Sequence, residues 1–171
     1  PPRSTLFPYT TLFRSGVLLN NEMDDFSAKP GVPNQFGLVG SEANSIEPHK
    51  RMLSSMTPTI VLKENKPYLI VGTPGGSTII TVVAQVILNK LLLKEDIETS
   101  VFKPRVHHQW LPDQIDIETD SISEELSSKL VERGHKIGRK RLLGLVEAIL
   151  IEDGKIIGVS DKRGSGHAEG Y

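Results

Sequence analysis

Apolar residues in this chain come in short blocks whose spacing switches between strand-like and helix-like. Thr59–Lys63 (TIVLK) and residues 67–72 (PYLIVG) are two β-rich runs around Glu64-Asn65-Lys66, which predicts a hairpin. PYLIV is almost continuously apolar, as a strand covered on both faces would be. After Thr73-Pro74-Gly75-Gly76-Ser77 the period changes. Ile79, Val82, Val83, Val86 and Ile87 trace one face of a helix over residues 77–92, with Ile80, Ala84, Leu88 and Leu91 beside it. That helix is apolar over much of its circumference and is expected to be buried. A short helix follows near residues 96–101. Residues 104–112 (PRVHHQWLP) and 114–118 (QIDIE) read as extended, the second alternating cleanly. A helix is expected to start at Ser121 and Glu124, in capping-box spacing, and to stop at Gly134. Residues 135–140, 144–151 and 155–160 read as strands, the last two joined by a tight turn at Glu152-Asp153-Gly154. Helices and strands occur in blocks without a regular strand–helix repeat. This predicts an α+β protein with an antiparallel or mixed sheet.

The N-terminal part reads differently. Residues 1–15 (PPRSTLFPYTTLFRS) have no periodicity and end at an abrupt switch at Gly16. They read as a non-native scar and are set apart from the fold, the alternative being a native, poorly ordered arm. Residues 16–20 (GVLLN) form a short strand candidate. NNEMDDF then places Glu22, Asp24 and Asp25 within four positions, either a solvated turn or a site. Residues 27–40 combine two Pro and three Gly with few charges, as a lid or binding loop would.

Composition narrows the function classes. The 171 residues carry 20 Lys+Arg and 21 Asp+Glu, so no basic excess points to nucleic acid or an anionic membrane. Zero Cys excludes a disulfide framework, a zinc–thiolate site and a Cys nucleophile. The longest apolar-rich run, residues 79–93, is too short and too polar to span a bilayer. The first residues do not read as a signal peptide.

The sharpest local feature is the strand–Gly75-Gly76-Ser77–helix junction. Consecutive glycines leave backbone N–H groups uncovered, and a following helix N-terminus favours negative charge. Such a turn can hold a phosphate, a carboxylate or a developing oxyanion, or be only a tight turn. No Lys follows and no GxGxxG is present, so neither a Walker loop nor a dinucleotide fingerprint is indicated. Ser54 and Ser55 could bind a carboxylate, but no nucleophile elbow surrounds them. His107 and His108 are adjacent, so on a strand they point to opposite faces and would not ligate one metal. No metal or cofactor is called for. Trp110 reads as a core anchor.

These motifs are not independent. GVLLNNEMDDFSAKPGVPNQFGLVG, RMLSSMTPTIVLK, YLIVGTPGGSTIITVVAQVILN and PRVHHQWLPD, in that order and spacing, closely resemble gamma-glutamyltranspeptidase, and SGHAEGY resembles its C-terminal end. The resemblance covers residues 16–171 and identifies them as the C-terminal part of the small, catalytic subunit. It implies part of the αββα sandwich of N-terminal nucleophile hydrolases, truncated at its N-terminal side. It also implies γ-glutamyl transfer from glutathione and related compounds to water or to amino-acid or peptide acceptors, with the large subunit of the same precursor as partner. A periplasmic or extracellular location follows from the family. By resemblance, Glu22 and Asp25 bind the substrate's α-ammonium, Ser54 and Ser55 bind its α-carboxylate, and Gly75 and Gly76 form the oxyanion hole. Phe36 lies in the lid, where other members often carry Tyr.

The family's nucleophile is a Thr that begins the small subunit and uses its own α-amino group as base. Thr10-Thr11 is followed by Leu12 and lies too close to Asn20 to be that start, so no nucleophile is assigned and the chain alone is expected to be inactive. Asp161-Lys162-Arg163 stands where members tend to show Asp-Pro-Arg. Two readings from other classes are a related N-terminal nucleophile amidohydrolase acting on another acyl group and a non-catalytic anion-binding α/β module.

Overall fold

The computed structural model describes residues 22–170, which divide after Ser55 into two compact units. The strand expected at residues 16–20 and the segment 1–15 lie outside the described residues.

The first unit is held by turns. Its acidic cluster forms a 3-10 turn, Glu22–Asp25, and a second such turn spans Glu42–Asn44. Phe26 and Ser27 are buried between them, and Ser27 pairs with Ser45 in an isolated parallel bridge. Gly40 packs so close that a Cβ there would lie 2.0 Å from Ser27 Oγ. The loop between is ordered: Pro33 bridges Val39, and Gly31 N–H donates to Gly40 O at 2.8 Å. Asn34 closes its tip by accepting from the N–H groups of Phe36 and Leu38 (2.9 and 3.1 Å) through Oδ1. An Asn side chain that binds backbone ahead of it is an ordinary way to fix a tight loop.

The second unit is built on a four-stranded antiparallel sheet. Its strands are β1 (Thr59–Lys63), β2 (Lys66–Gly72), β6 (Glu147–Glu152) and β7 (Lys155–Ser160), adjacent in that order. Both tight turns take positive φ, Glu64-Asn65 at 52° and 61° and Asp153-Gly154 at 52° and 72°, as two-residue hairpins require. Helix α1 (Ile79–Leu91) follows a 3-10 turn at Gly76–Thr78. Helix α2 (Ile97–Phe102) is capped by Asp96, which accepts from Thr99 N–H at 2.7 Å. A three-stranded mixed sheet comprises β3 (Val106–His107), β4 (Ile115–Ile117) and β5 (Ile137–Lys140), with β3–β4 antiparallel and β4–β5 parallel. Helix α3 (Glu124–Glu132) precedes β5. The α+β reading of the sequence holds.

The core lies where α1 and α2 cover one face of the larger sheet. Ile79, Val82, Val83 and Val86 of α1 pack with Leu69 and Val71 of β2, Ala148 and Leu150 of β6, and Ile97 and Val101 of α2. The sheet's other face follows from the register. Ile60, Ile70 and Ile149 align across β1, β2 and β6, and Ile60 and Ile149 are exposed. Residues alternate faces along a strand, so β2 is not covered on both sides as the apolar run suggested. α1 likewise buries one stripe only, leaving Ile80 and Leu88 exposed.

Three further expectations are corrected. The cap of α3 is Ser123, whose Oγ accepts from Leu126 N–H at 3.1 Å; Ser121 instead donates to Glu118 O. Trp110 is 74% exposed, because its backbone takes φ +73° and turns the ring out of the core. Residues 144–146 do not join β6. Leu143 N–H and Val146 N–H are taken by the carboxylates of Glu118 and Asp161 rather than by a neighbouring strand.

Candidate functional site

In the first unit, residues far apart in sequence are drawn together by Asn44. Its Nδ2 donates to Asp25 O at 2.7 Å, and its Oδ1 accepts from Leu53 N–H at 3.2 Å. One side chain thus ties the acidic turn to the strand of chain that carries Ser54 and Ser55. Ser55 Oγ donates to Glu22 Oε1 at 3.2 Å, across 33 residues of sequence. Glu22, Asp25 and Ser55 are half-buried, whereas Ser54 and Asp24 are exposed. The carboxyl of Asp25 is pushed above the usual range, first by burial and then by the like charges of Glu22 and Asp24. A carboxylate destabilised in this way gains from a cation brought beside it. Phe36 sits at the tip of the 30–40 loop and is 47% exposed.

In the second unit, the glycine turn is held by its neighbours. Gly75 takes φ +149° and Gly76 φ +57°, backbone that favours glycine. A Cβ at Gly75 would lie 2.5 Å from Thr78 Oγ1. Gly75 O accepts from Thr78 N–H at 3.2 Å and from Thr78 Oγ1 at 2.9 Å, so the carbonyl is turned into the helix start. Gly75 is exposed and Gly76 half-exposed, and among the described residues neither N–H donates to a partner. Two uncovered N–H groups at the head of a 13-residue helix suit an anionic oxygen.

The histidine pair splits as alternation requires. His107 is buried between Thr81 and Gln109, while His108 is exposed and faces Asp113 at 3.1 Å.

Sequence reasoning missed a buried ionic cluster formed by Arg105, Glu118, Asp161 and Arg163. Arg105 donates to Asp161 Oδ2 (2.7 Å), Leu143 O (2.7 Å) and Val101 O. Arg163 donates to Glu118 Oε1 and Oε2 (3.0 and 2.6 Å) and to Asp161 Oδ1 (2.9 Å). It also reaches the carbonyls of Phe102 and Lys103 at 3.2 and 3.0 Å. Two guanidiniums therefore satisfy the last carbonyls of α2, where a helix favours cations. The only sequence signal was the Asp161–Arg163 pair itself; their partners lie 45 to 62 residues away.

A sequence model of the family Gamma-glutamyltranspeptidase matches residues 9–171. The chain is 49% identical over 151 residues to the glutathione hydrolase proenzyme of Escherichia coli, an alignment covering 87% of this chain and 26% of that protein. Against the crystal structure of a T380A mutant of Helicobacter pylori gamma-glutamyltranspeptidase, the TM-score is 0.84 at 48% identity, covering 90% of this chain and 85% of that one. Against the gamma-glutamyltranspeptidase of Pseudomonas nitroreducens complexed with L-DON, it is 0.86 at 42% identity, covering 94% and 84%. The chain spans between a quarter and a third of the length of the curated relatives it matches.

Proposed function

The chain belongs to the gamma-glutamyltranspeptidase family, and on that premise we propose that it carries the substrate-binding part of an enzyme that moves γ-glutamyl groups from glutathione and related compounds to water or to amino-acid or peptide acceptors. A γ-glutamyl group bears an α-ammonium and an α-carboxylate on one carbon, roughly 3 Å apart. A receptor for it needs anionic and hydroxyl groups side by side. Glu22 and Asp25 take the ammonium, since desolvated carboxylates are what a cation matches. Ser54 donates its hydroxyl to the carboxylate, and Ser55 does so by turning its single hydrogen from Glu22 to the ligand. The observation that supports the proposal is the 3.2 Å hydrogen bond from Ser55 Oγ to Glu22 Oε1, which brings together one residue of the serine pair and one of the acidic turn across 33 residues of sequence.

The reaction then needs stabilisation of the oxyanion that forms when a nucleophile attacks the γ-carbonyl. The free N–H groups of Gly75 and Gly76 supply it. Phe36 closes the loop over the substrate without a hydroxyl of its own. On this reading the nucleophile, the strand it begins and the large subunit come from outside residues 22–170.

Release of p-nitroaniline from γ-glutamyl-p-nitroanilide tests this, by the chain alone and by the chain joined to the remainder of the E. coli relative. The joined enzyme is expected to turn over and the chain alone to be silent. Turnover of another acyl anilide in preference would point to a different amidohydrolase. Turnover by the chain alone, abolished by Thr11→Ala, would overturn the absence of a nucleophile.

A further inference from the structure

Ser77 follows directly on Gly76, and its Oγ donates to Gln109 Oε1 at 2.6 Å. The same oxygen faces His107 Nε2 at 2.9 Å, and His107 Nδ1 faces Thr81 Oγ1 at 2.8 Å. The chain of contacts leaves the glycine turn, enters the core at His107, which is 3% exposed, and returns to α1 one turn further on. Thr81 Oγ1 also lies 3.0 Å from Thr78 O, so its single hydrogen is shared between that carbonyl and His107 Nδ1, and Thr78 Oγ1 donates to Gly75 O. Both ends of the polar chain therefore reach the same turn. The orientation of Gln109 is fixed by its Nε2, which donates to Leu111 O at 2.9 Å. Its Oε1 can only accept, so His107 Nε2 carries a hydrogen and donates to it.

Gly75 and Gly76 have no side chains of their own to lock them, and beyond the bonds from Thr78 to Gly75 O they rely on positive-φ backbone that favours glycine. Their N–H groups can act on an oxyanion only if held within tenths of an ångström of the productive direction. We propose that Ser77, Gln109 and His107 are positioning residues that aim the Gly75 and Gly76 N–H groups at the γ-carbonyl oxygen. This rests on reading the turn as the oxyanion site. The polar chain transmits the rigidity of the core to the turn. A histidine buried in the core thereby affects the rate.

The test is made in the complete enzyme formed with the remainder of the E. coli relative, with γ-glutamyl-p-nitroanilide as substrate. Gln109→Leu, His107→Phe and Ser77→Ala are each expected to lower kcat by about 10- to 100-fold, with KM within about threefold. Gln109→Leu and His107→Phe combined should cost little more than either alone, because they break one chain. Ser77→Thr keeps the hydroxyl and should retain most of kcat. The half-exposed Ser77 makes Ser77→Ala the mildest change, with its thermal midpoint expected within about 4 °C of the parent. Gly75→Ala, whose Cβ collides with Thr78, disables the turn itself. Full kcat in Ser77→Ala and Gln109→Leu beside a crippled Gly75→Ala would overturn the positioning role and leave the oxyanion reading in place. Full kcat in Gly75→Ala would remove the oxyanion reading and the positioning role with it. A loss in Ser77→Ala that Ser77→Thr does not restore would mark Ser77 as structural and also overturn the proposal.

Discussion

The carboxylate of Asp161 is 1% exposed and accepts from Val146 N–H and from the guanidiniums of Arg105 and Arg163. The carboxylate of Asp25 is half-buried, and its charged neighbours are Glu22 and Asp24. Burial acts to raise both. At Asp161 it is outweighed by the Val146 N–H and the two arginines, and the group is held below its usual range. At Asp25 burial is reinforced by like charges, and the group is pushed up. The first acid has its partners inside the fold and contributes to stability. The second leaves its electrostatic demand open, as a binding group for a cationic substrate would. The ionisation of Asp161 is matched four ways by the chain, the backbone N–H of Arg163 being the fourth donor, whereas the charged groups that shift Asp25 are both acids.

The largest effect should come from removing Arg163. Arg163→Ala leaves Glu118 and Asp161 buried with one guanidinium fewer, and loss of a buried partner costs about 3–5 kcal/mol. Denaturant unfolding should show this, while the exposed Lys162→Ala should stay within about 1 kcal/mol, having only a ring contact with Phe102 to lose. Equal effects would mean that the cluster contributes no specific stability.

The acid limb of the stability curve should follow in size. A carboxylate with a depressed folded-state pKa contributes stability that is present above its unfolded value, about 3.9, and lost as pH falls through the folded one. Asp161→Asn should therefore unfold with a shallower dependence below about pH 4 than the parent. Asp25→Asn should differ in sign. A raised carboxyl favours folding below its unfolded pKa and loses that advantage as pH rises through the folded value. Parallel curves for the two variants would erase the contrast between the sites.

The smallest effect is expected at Trp110. Largely exposed, it should tolerate Trp110→Ala with a change in unfolding free energy of about 0.5 kcal/mol or less. A multi-kcal loss would restore the core role that its size suggested.

The same contrast explains what could be read from the sequence. Turn residues are local, so the Glu64-Asn65 and Asp153-Gly154 hairpins and the Gly75-Gly76 junction were legible directly. The apolar stripe of α1 was legible, but not which part of its circumference would be covered, since that depends on what packs against it. Trp110 was misread for a similar reason: a positive φ on a non-glycine residue has no sequence signature. The Arg105–Glu118–Asp161–Arg163 cluster was illegible because each charge looks solvated until its distant partners are known. Glu22, Asp25, Ser54 and Ser55 were legible as a set only through resemblance to a family. Taken singly, an acidic turn and a serine pair are ordinary loop features. Asn44, which ties them together, sat unnoticed in a polar stretch.

The most direct test of the substrate-binding role uses the complete enzyme and compares Asp25→Ala with Asp24→Ala. Asp25 is half-buried in the turn that Asn44 fastens, and Asp24 beside it is exposed. Loss of one member of a desolvated charge pair costs about 2–5 kcal/mol. This corresponds to a fall of roughly 30- to 4000-fold in kcat/KM for γ-glutamyl-p-nitroanilide in Asp25→Ala. Asp24→Ala is expected to cost less than about threefold, since exposed charges contribute little. Equal and small losses in the two variants would show the acids to be a solvated face and would contradict the assignment of the α-ammonium to Asp25.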